Sequence, residues 1–124
     1  MPHPHLNGAS ILIVEDEPLI AMEIITAFST AGALLTTTNT IKHARILVEH
    51  DGLTAAILDH ALPDGACTNI CERLTALGIP YLMYSGVASI DDACKHAPFL
   101  SKPATRQQLL DAMEALIRDS KISN

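Results

Sequence analysis

What most constrains this chain is an alternation between short apolar runs and longer stretches whose apolar residues return at helical spacing. Ile11-Leu12-Ile13-Val14 is apolar at every position, as a strand covered on both faces requires. Pro18 suits a helix's first turn, Ile20, Ile24, Ala27 and Ala31 share one face, and Gly32 closes it. Residues 33–37 read as a threonine-bearing edge strand, and 41–50 as a helix with Ile41, Ala44 and Val48 inward. Ala55-Ala56-Ile57-Leu58 is a second fully buried strand, followed by a turn at Pro63-Asp64-Gly65. A helix with Cys67, Ile70, Cys71, Leu74 and Leu77 on one face stops at Gly78. Residues 81–84 form a fourth strand, 91–96 a short helix and 98–100 a fifth strand. Thr105 and Gln108 make a capping box that opens a last helix, with Leu109, Met113 and Leu116 inward, ending near Arg118. Strands that alternate with helices in this way predict a parallel sheet covered on both faces.

The 124 residues suffice for one domain, and 48% hydrophobic content supplies an aliphatic core without staples. We divide the chain into a flexible lead-in at 1–8, holding His3 and His5, a domain at 9–118 and a tail at 119–124, with no output domain. The net charge of -6, without any Lys/Arg run, leaves no electrostatic footprint for nucleic acid. The apolar run after Ser10 is too short for a signal peptide or a membrane span. Three cysteines, an odd number, then point to a reducing, cytoplasmic setting.

In an open parallel sheet, ligands bind beyond the carboxyl ends of the strands. Glu15 and Asp16 follow the first strand, Asp59 the third and Ser85 the fourth, while Lys102 stands just past the fifth. Polar groups at these ends, against almost none inside the strands, converge on one edge. Three neighbouring carboxylates repel and call for cations. Lys102 supplies one positive charge and a hard divalent ion two more. Mg2+ suits Asp16, Asp59, a backbone carbonyl and waters. An aspartate beside Mg2+ and a lysine is placed to attack phosphorus, and the Ser85 hydroxyl to donate to the phosphoryl group afterwards.

These residues resemble bacterial response-regulator receiver domains. The likeness rests on Ile11 to Pro18, Leu58-Asp59-His60-Ala61-Leu62-Pro63-Asp64-Gly65, Tyr84-Ser85-Gly86 and Phe99-Leu100-Ser101-Lys102-Pro103, in the family's order. It implies a flavodoxin-like (βα)5 α/β sandwich with strand order 2-1-3-4-5. It further implies that Asp59 is the phosphoacceptor, fed by a histidine kinase or a histidine phosphotransfer protein, and that the switched surface controls a downstream protein target. By the same resemblance, Asp16 ligates Mg2+, Glu15 acts from the outer sphere and the Ala61 carbonyl is a third ligand. Lys102 contacts the phosphoryl group ahead of a cis Lys102–Pro103 bond, Ser85 and Phe99 form the switch pair, and Gly86 leaves room. The stretch from Ser85 to Lys102 is shorter than usual by roughly a helical turn, so the fourth helix is expected short or irregular.

Other readings fare less well. A haloacid-dehalogenase-type phosphohydrolase needs an aspartate where Ala61 stands, and a nucleotide-binding module needs a glycine-rich phosphate loop. A non-phosphorylated adaptor has no use for the charged cluster. Cys67 and Cys71, one helical turn apart, read as small buried hydrophobes, and the histidines lack zinc spacing. His60 is turned away from Asp59 by strand alternation.

Overall fold

The computed structural model describes residues 3–86, 94 and 97–123. Five parallel strands form one sheet: β1 (Ser10–Val14), β2 (Leu34–Thr38), β3 (Ala55–Leu58), β6 (Tyr81–Ser85) and β7 (Phe99–Ser101). Between them lie β4 (Ala61–Leu62), β5 (Gly65–Ala66), α1 (Pro18–Thr30), α2 (Ile41–Leu47), α3 (Thr68–Leu77) and α4 (Arg106–Ser123). The order across the sheet is β2-β1-β3-β6-β7, which is 2-1-3-4-5 when only its own strands are counted. The flavodoxin-like expectation is met.

Strand alternation distributes the core. Ile11, Ile13, Ala55, Ile57, Leu82 and Tyr84 face one way and pack with Ile24, Ala27, Phe28, Leu109 and Met113 of α1 and α4. Leu12, Val14, Ala56, Leu58, Tyr81 and Met83 face the other way and pack with Ile41, Ala44, Ile70 and Leu74 of α2 and α3. The central strands must be apolar throughout because both of their faces are covered. The edge strand β2 exposes Leu34 and carries threonines, whose hydroxyls tolerate solvent.

Local signals account for three of the helix ends. Thr40 Oγ1 accepts from the His43 N–H at 3.2 Å at the start of α2. Thr105 and Gln108 make the reciprocal capping box, with bonds of 3.1 and 2.8 Å. Gly78 ends α3 with φ of 72°, where a side chain would be strained.

Several expectations need correction. The turn at Pro63-Asp64-Gly65 belongs to a small antiparallel hairpin of β4 and β5. Its Asp64 carboxylate accepts from the N–H groups of Ile41 and Lys42 at 2.8 and 3.1 Å, a second cap on α2 from a distant segment. Helix α2 stops at Leu47, and Leu77 at the end of α3 is 40% exposed instead of inward. Helix α4 runs on to Ser123, through most of the expected tail, because residues 119–123 contain no Gly or Pro to stop it.

The lead-in is not loose where it is described. Leu6 is fully buried, and His3 Nε2 lies 2.8 Å from Asp111 Oδ1. The His5 N–H donates to Glu114 Oε1 at 2.8 Å, and its imidazole meets the other Glu114 oxygen. One apolar side chain and two carboxylates of α4 thus hold a segment that its polar composition marks as a tail. The expected short helix at 91–96 lies outside the described residues, except for Cys94.

Cys71 also departs from its reading as an inert hydrophobe, since it is joined to Cys94 in a disulfide. Their proximity is a tertiary relation between Cys94 and α3 that helical spacing does not contain.

Candidate functional site

Main-chain bonds between strand ends set the site. The Asp59 N–H donates to the Val14 carbonyl at 3.0 Å, and the Glu15 N–H to Thr38 at 3.0 Å. The Lys102 N–H donates to the Ser85 carbonyl at 3.1 Å. The parallel ladder therefore continues one residue past β3, β1 and β7 and brings Glu15, Asp59, Ser85 and Lys102 to one edge.

Carboxylate oxygens of Glu15, Asp16 and Asp59 all lie within 4.8 Å of one another. Lys102 Nζ reaches in to 2.8 Å from Glu15 Oε1 and 3.3 Å from Asp59 Oδ2. The Glu15 side chain is only 2% exposed, whereas Asp16 faces solvent. Glu15 Oε2 also accepts from the Glu17 N–H at 3.1 Å, at the entry to α1. Burial pushes the Glu15 carboxyl above its ordinary value and the neighbouring Asp59 charge adds to this, against the pull of Lys102 and the Glu17 N–H. Burial pulls the Lys102 ammonium down, but its hydrogen bond to Glu15 and the charges of Glu15 and Asp59 together hold it above the ordinary lysine value.

Three carboxylates against one ammonium leave the pocket short of positive charge. Oxygen-only donors, one of them open to solvent, fit a hard divalent cation such as Mg2+, which keeps several waters. Beside them, Ile13, Pro18, Ala21, Thr37, Thr38 and Asn39 line a cleft that continues to Glu15 and Asp16.

Ser85 ends β6 and is 1% exposed. Among the described residues, a Cβ added at the next residue, Gly86, would meet nothing within 4 Å. Ala61 lies in β4, two positions beyond Asp59. Phe99 stands on the edge strand β7, 38% exposed. The Lys102–Pro103 peptide is cis.

Tyr84 was not among the candidates. Its ring lies under Lys102 Nζ at 5.6 Å from the centroid, and its hydroxyl accepts from the Ala104 N–H at 3.0 Å. Tyr84 thereby supports the Lys102 loop from inside the core. Its place directly before Ser85 at a strand end was the available signal.

No family model matches the chain. The crystal structure of a CheY-like response regulator receiver domain protein from Methanospirillum hungatei JF-1 superposes with a TM-score of 0.86 at 22% identity, over 95% of this chain and all of that one. The solution structure of SdrG from Sphingomonas melonis Fr1 is 37% identical, with a TM-score of 0.78, over 89% of this chain and 97% of that one. The chain belongs to the response-regulator receiver domains.

The receiver domain is also 27% identical to the transcriptional regulatory protein TcrA of Mycobacterium tuberculosis, over 94% of its own length. It spans about half the length of that curated relative, 49%. Such relatives place the receiver domain in two-component signalling. Among the described residues, no helix is long and apolar enough to cross a membrane.

Proposed function

We propose that this receiver domain takes a phosphoryl group from a phosphohistidine onto Asp59 in a Mg2+-dependent reaction, and that the altered surface then controls a partner protein. One observation carries the reading: Asp59 shares a pocket with Glu15 and Asp16, while Lys102 Nζ lies 3.3 Å from its carboxylate. A structural aspartate at a strand end needs neither a second acidic pair nor a lysine held among them.

In the proposed step, an Asp59 carboxylate oxygen attacks phosphorus. The new O–P bond forms as the P–N bond to the donor imidazole breaks, and the imidazole leaves with the electron pair. Asp16, Asp59 and the Ala61 carbonyl would hold Mg2+, with Glu15 acting from the outer sphere. Mg2+, when bound, neutralises the developing charge on the phosphoryl oxygens. Lys102 would add its own positive charge there, with Tyr84 beneath it keeping the ammonium in place. Ser85 would donate its hydroxyl to the transferred group, and Phe99 would report the change on the exposed β7 edge. The domain accelerates its own phosphorylation and dephosphorylation but is not an enzyme acting on a separate substrate.

The donor is a histidine kinase or a histidine phosphotransfer protein, and the output is a protein contact; neither nucleic acid nor a membrane is a direct partner. The setting is cytoplasmic. The receiver unit comprises residues 9–118 together with residues 3–8, which pack against α4, and the last turns of α4 up to Ser123. Beryllofluoride mimics an aspartyl phosphate and tests this reading. With Mg2+ already present, adding beryllofluoride is expected to raise the melting temperature of the wild type further and not that of Asp59→Asn. An equal rise in both proteins, or in neither, overturns the assignment of Asp59.

A further inference from the structure

The core between the sheet and α3 holds a second reactive cluster, Cys67, Cys71 and Cys94, all buried. None of the three belongs to the acidic site. Cys71 and Cys94 form a disulfide with Cα atoms 5.5 Å apart, and Cys67 remains a thiol. Its sulfur lies 3.8 Å from that of Cys94 and 3.9 Å from that of Cys71. The geometry points to a redox-reactive site in which the Cys71–Cys94 bond forms and breaks reversibly, with Cys67 as a resident exchange thiol.

A purely structural cross-link needs two cysteines. Here a third sulfur touches both bridged ones, at the distance from which a thiolate attacks. Cys94 comes from the β6–β7 connection and Cys71 from α3, so the bond fastens one segment to the other. Three thiolates are also a ligand set for a soft metal ion, but the bond consumes two of them. Oxidation and metal binding are therefore alternatives, and the geometry shows the oxidised one.

The co-reactant is a low-molecular-weight disulfide. One cysteine thiolate attacks it, forming a mixed disulfide and releasing one small thiol. The second cysteine thiolate attacks the protein-bound sulfur of that mixed disulfide and releases the other. The protein loses two electrons and two protons, and the small disulfide gains both. Exchange within the cluster needs no oxidant. Cys67 attacks the Cys94 sulfur, the Cys71–Cys94 bond breaks as the Cys67–Cys94 bond forms, and Cys71 leaves as the thiolate.

The test equilibrates the full chain with reduced and oxidised dithiothreitol in varied ratio, with a chelator present, until the protein mass is constant. Samples are acid-quenched, unfolded and alkylated with iodoacetamide, and intact mass counts the thiols. Three alkyl groups are expected at the reducing end and one at the oxidising end, reversibly, with far-ultraviolet circular dichroism unchanged. Cys71→Ser is expected to fall from two to none, with a Cys67–Cys94 bridge in the peptide map. Cys67→Ser is expected to fall from two to none by keeping the Cys71–Cys94 bridge. Three alkyl groups at every ratio, or loss of the fold on reduction, would overturn the redox site. Two persistent thiols in oxidised, folded Cys71→Ser would overturn the exchange role of Cys67; if that variant does not fold, absence of any Cys67–Cys94 bridge from the wild-type map does the same.

Discussion

Lys102 makes its shorter ion pair with Glu15, 2.8 Å from Nζ to Oε1, and its longer one, 3.3 Å, with Asp59. Glu15 is the more enclosed carboxylate, so its charge has the greater need of a partner. The lysine is thus kept inside the acidic pocket before any phosphoryl group arrives. Lys102→Met is expected to slow phosphorylation from acetyl phosphate by about 10²-fold, the usual cost of one charge-stabilising contact. Stabilisation by Mg2+ should be larger in this variant, because the ion is then the only cation in the pocket. Rates within twofold of the wild type would remove Lys102 from the reaction.

Mg2+ itself is expected to raise the melting temperature, since it relieves carboxylate repulsion in the folded state alone. Asp16→Ala separates binding from folding, because Asp16 is exposed and its loss leaves the core intact. The variant should melt near the metal-free wild type and gain nothing from millimolar Mg2+. A scan with and without the ion checks both points.

Leu6 is fully buried against the core shared by α1 and α4. Leu6→Ala is expected to cost about 2–5 kcal/mol, as for other enclosed leucines. Urea denaturation should show a lower midpoint with an unchanged slope. A change within experimental error would mean that residues 3–8 do not belong to the folded unit.

Asp64 supplies a pH signature. The N–H of Ile41 and then that of Lys42 hold its carboxyl below the ordinary value of 3.8. Its folded-state value is depressed, so its contribution is present above pH 3.8 and lost as pH falls through the folded value. The stability difference between wild type and Asp64→Asn should be constant near neutrality and vanish below that window. Urea midpoints across a pH series measure it.

Much of this was legible because the central strands are apolar on both faces. Ile11 to Val14 and Ala55 to Leu58 announce a parallel sheet, and the rule for its carboxyl ends places Glu15, Asp59, Ser85 and Lys102 together. Contacts between distant segments were not legible. Nothing local to Asp64 says that it caps α2, and nothing in residues 1–8 says that His5 finds Glu114. Helical spacing put Cys67 and Cys71 on one face but was silent about Cys94. Tyr84 looked like core because its ring is core, while its hydroxyl and upper face serve the lysine loop.

Intact-protein mass after brief incubation with acetyl phosphate and Mg2+ tests phosphoryl acceptance by Asp59 most directly. A gain of one phosphoryl group is expected, absent without Mg2+ and absent from Asp59→Asn. An unchanged wild-type mass, or an equal gain in Asp59→Asn, would contradict the assignment.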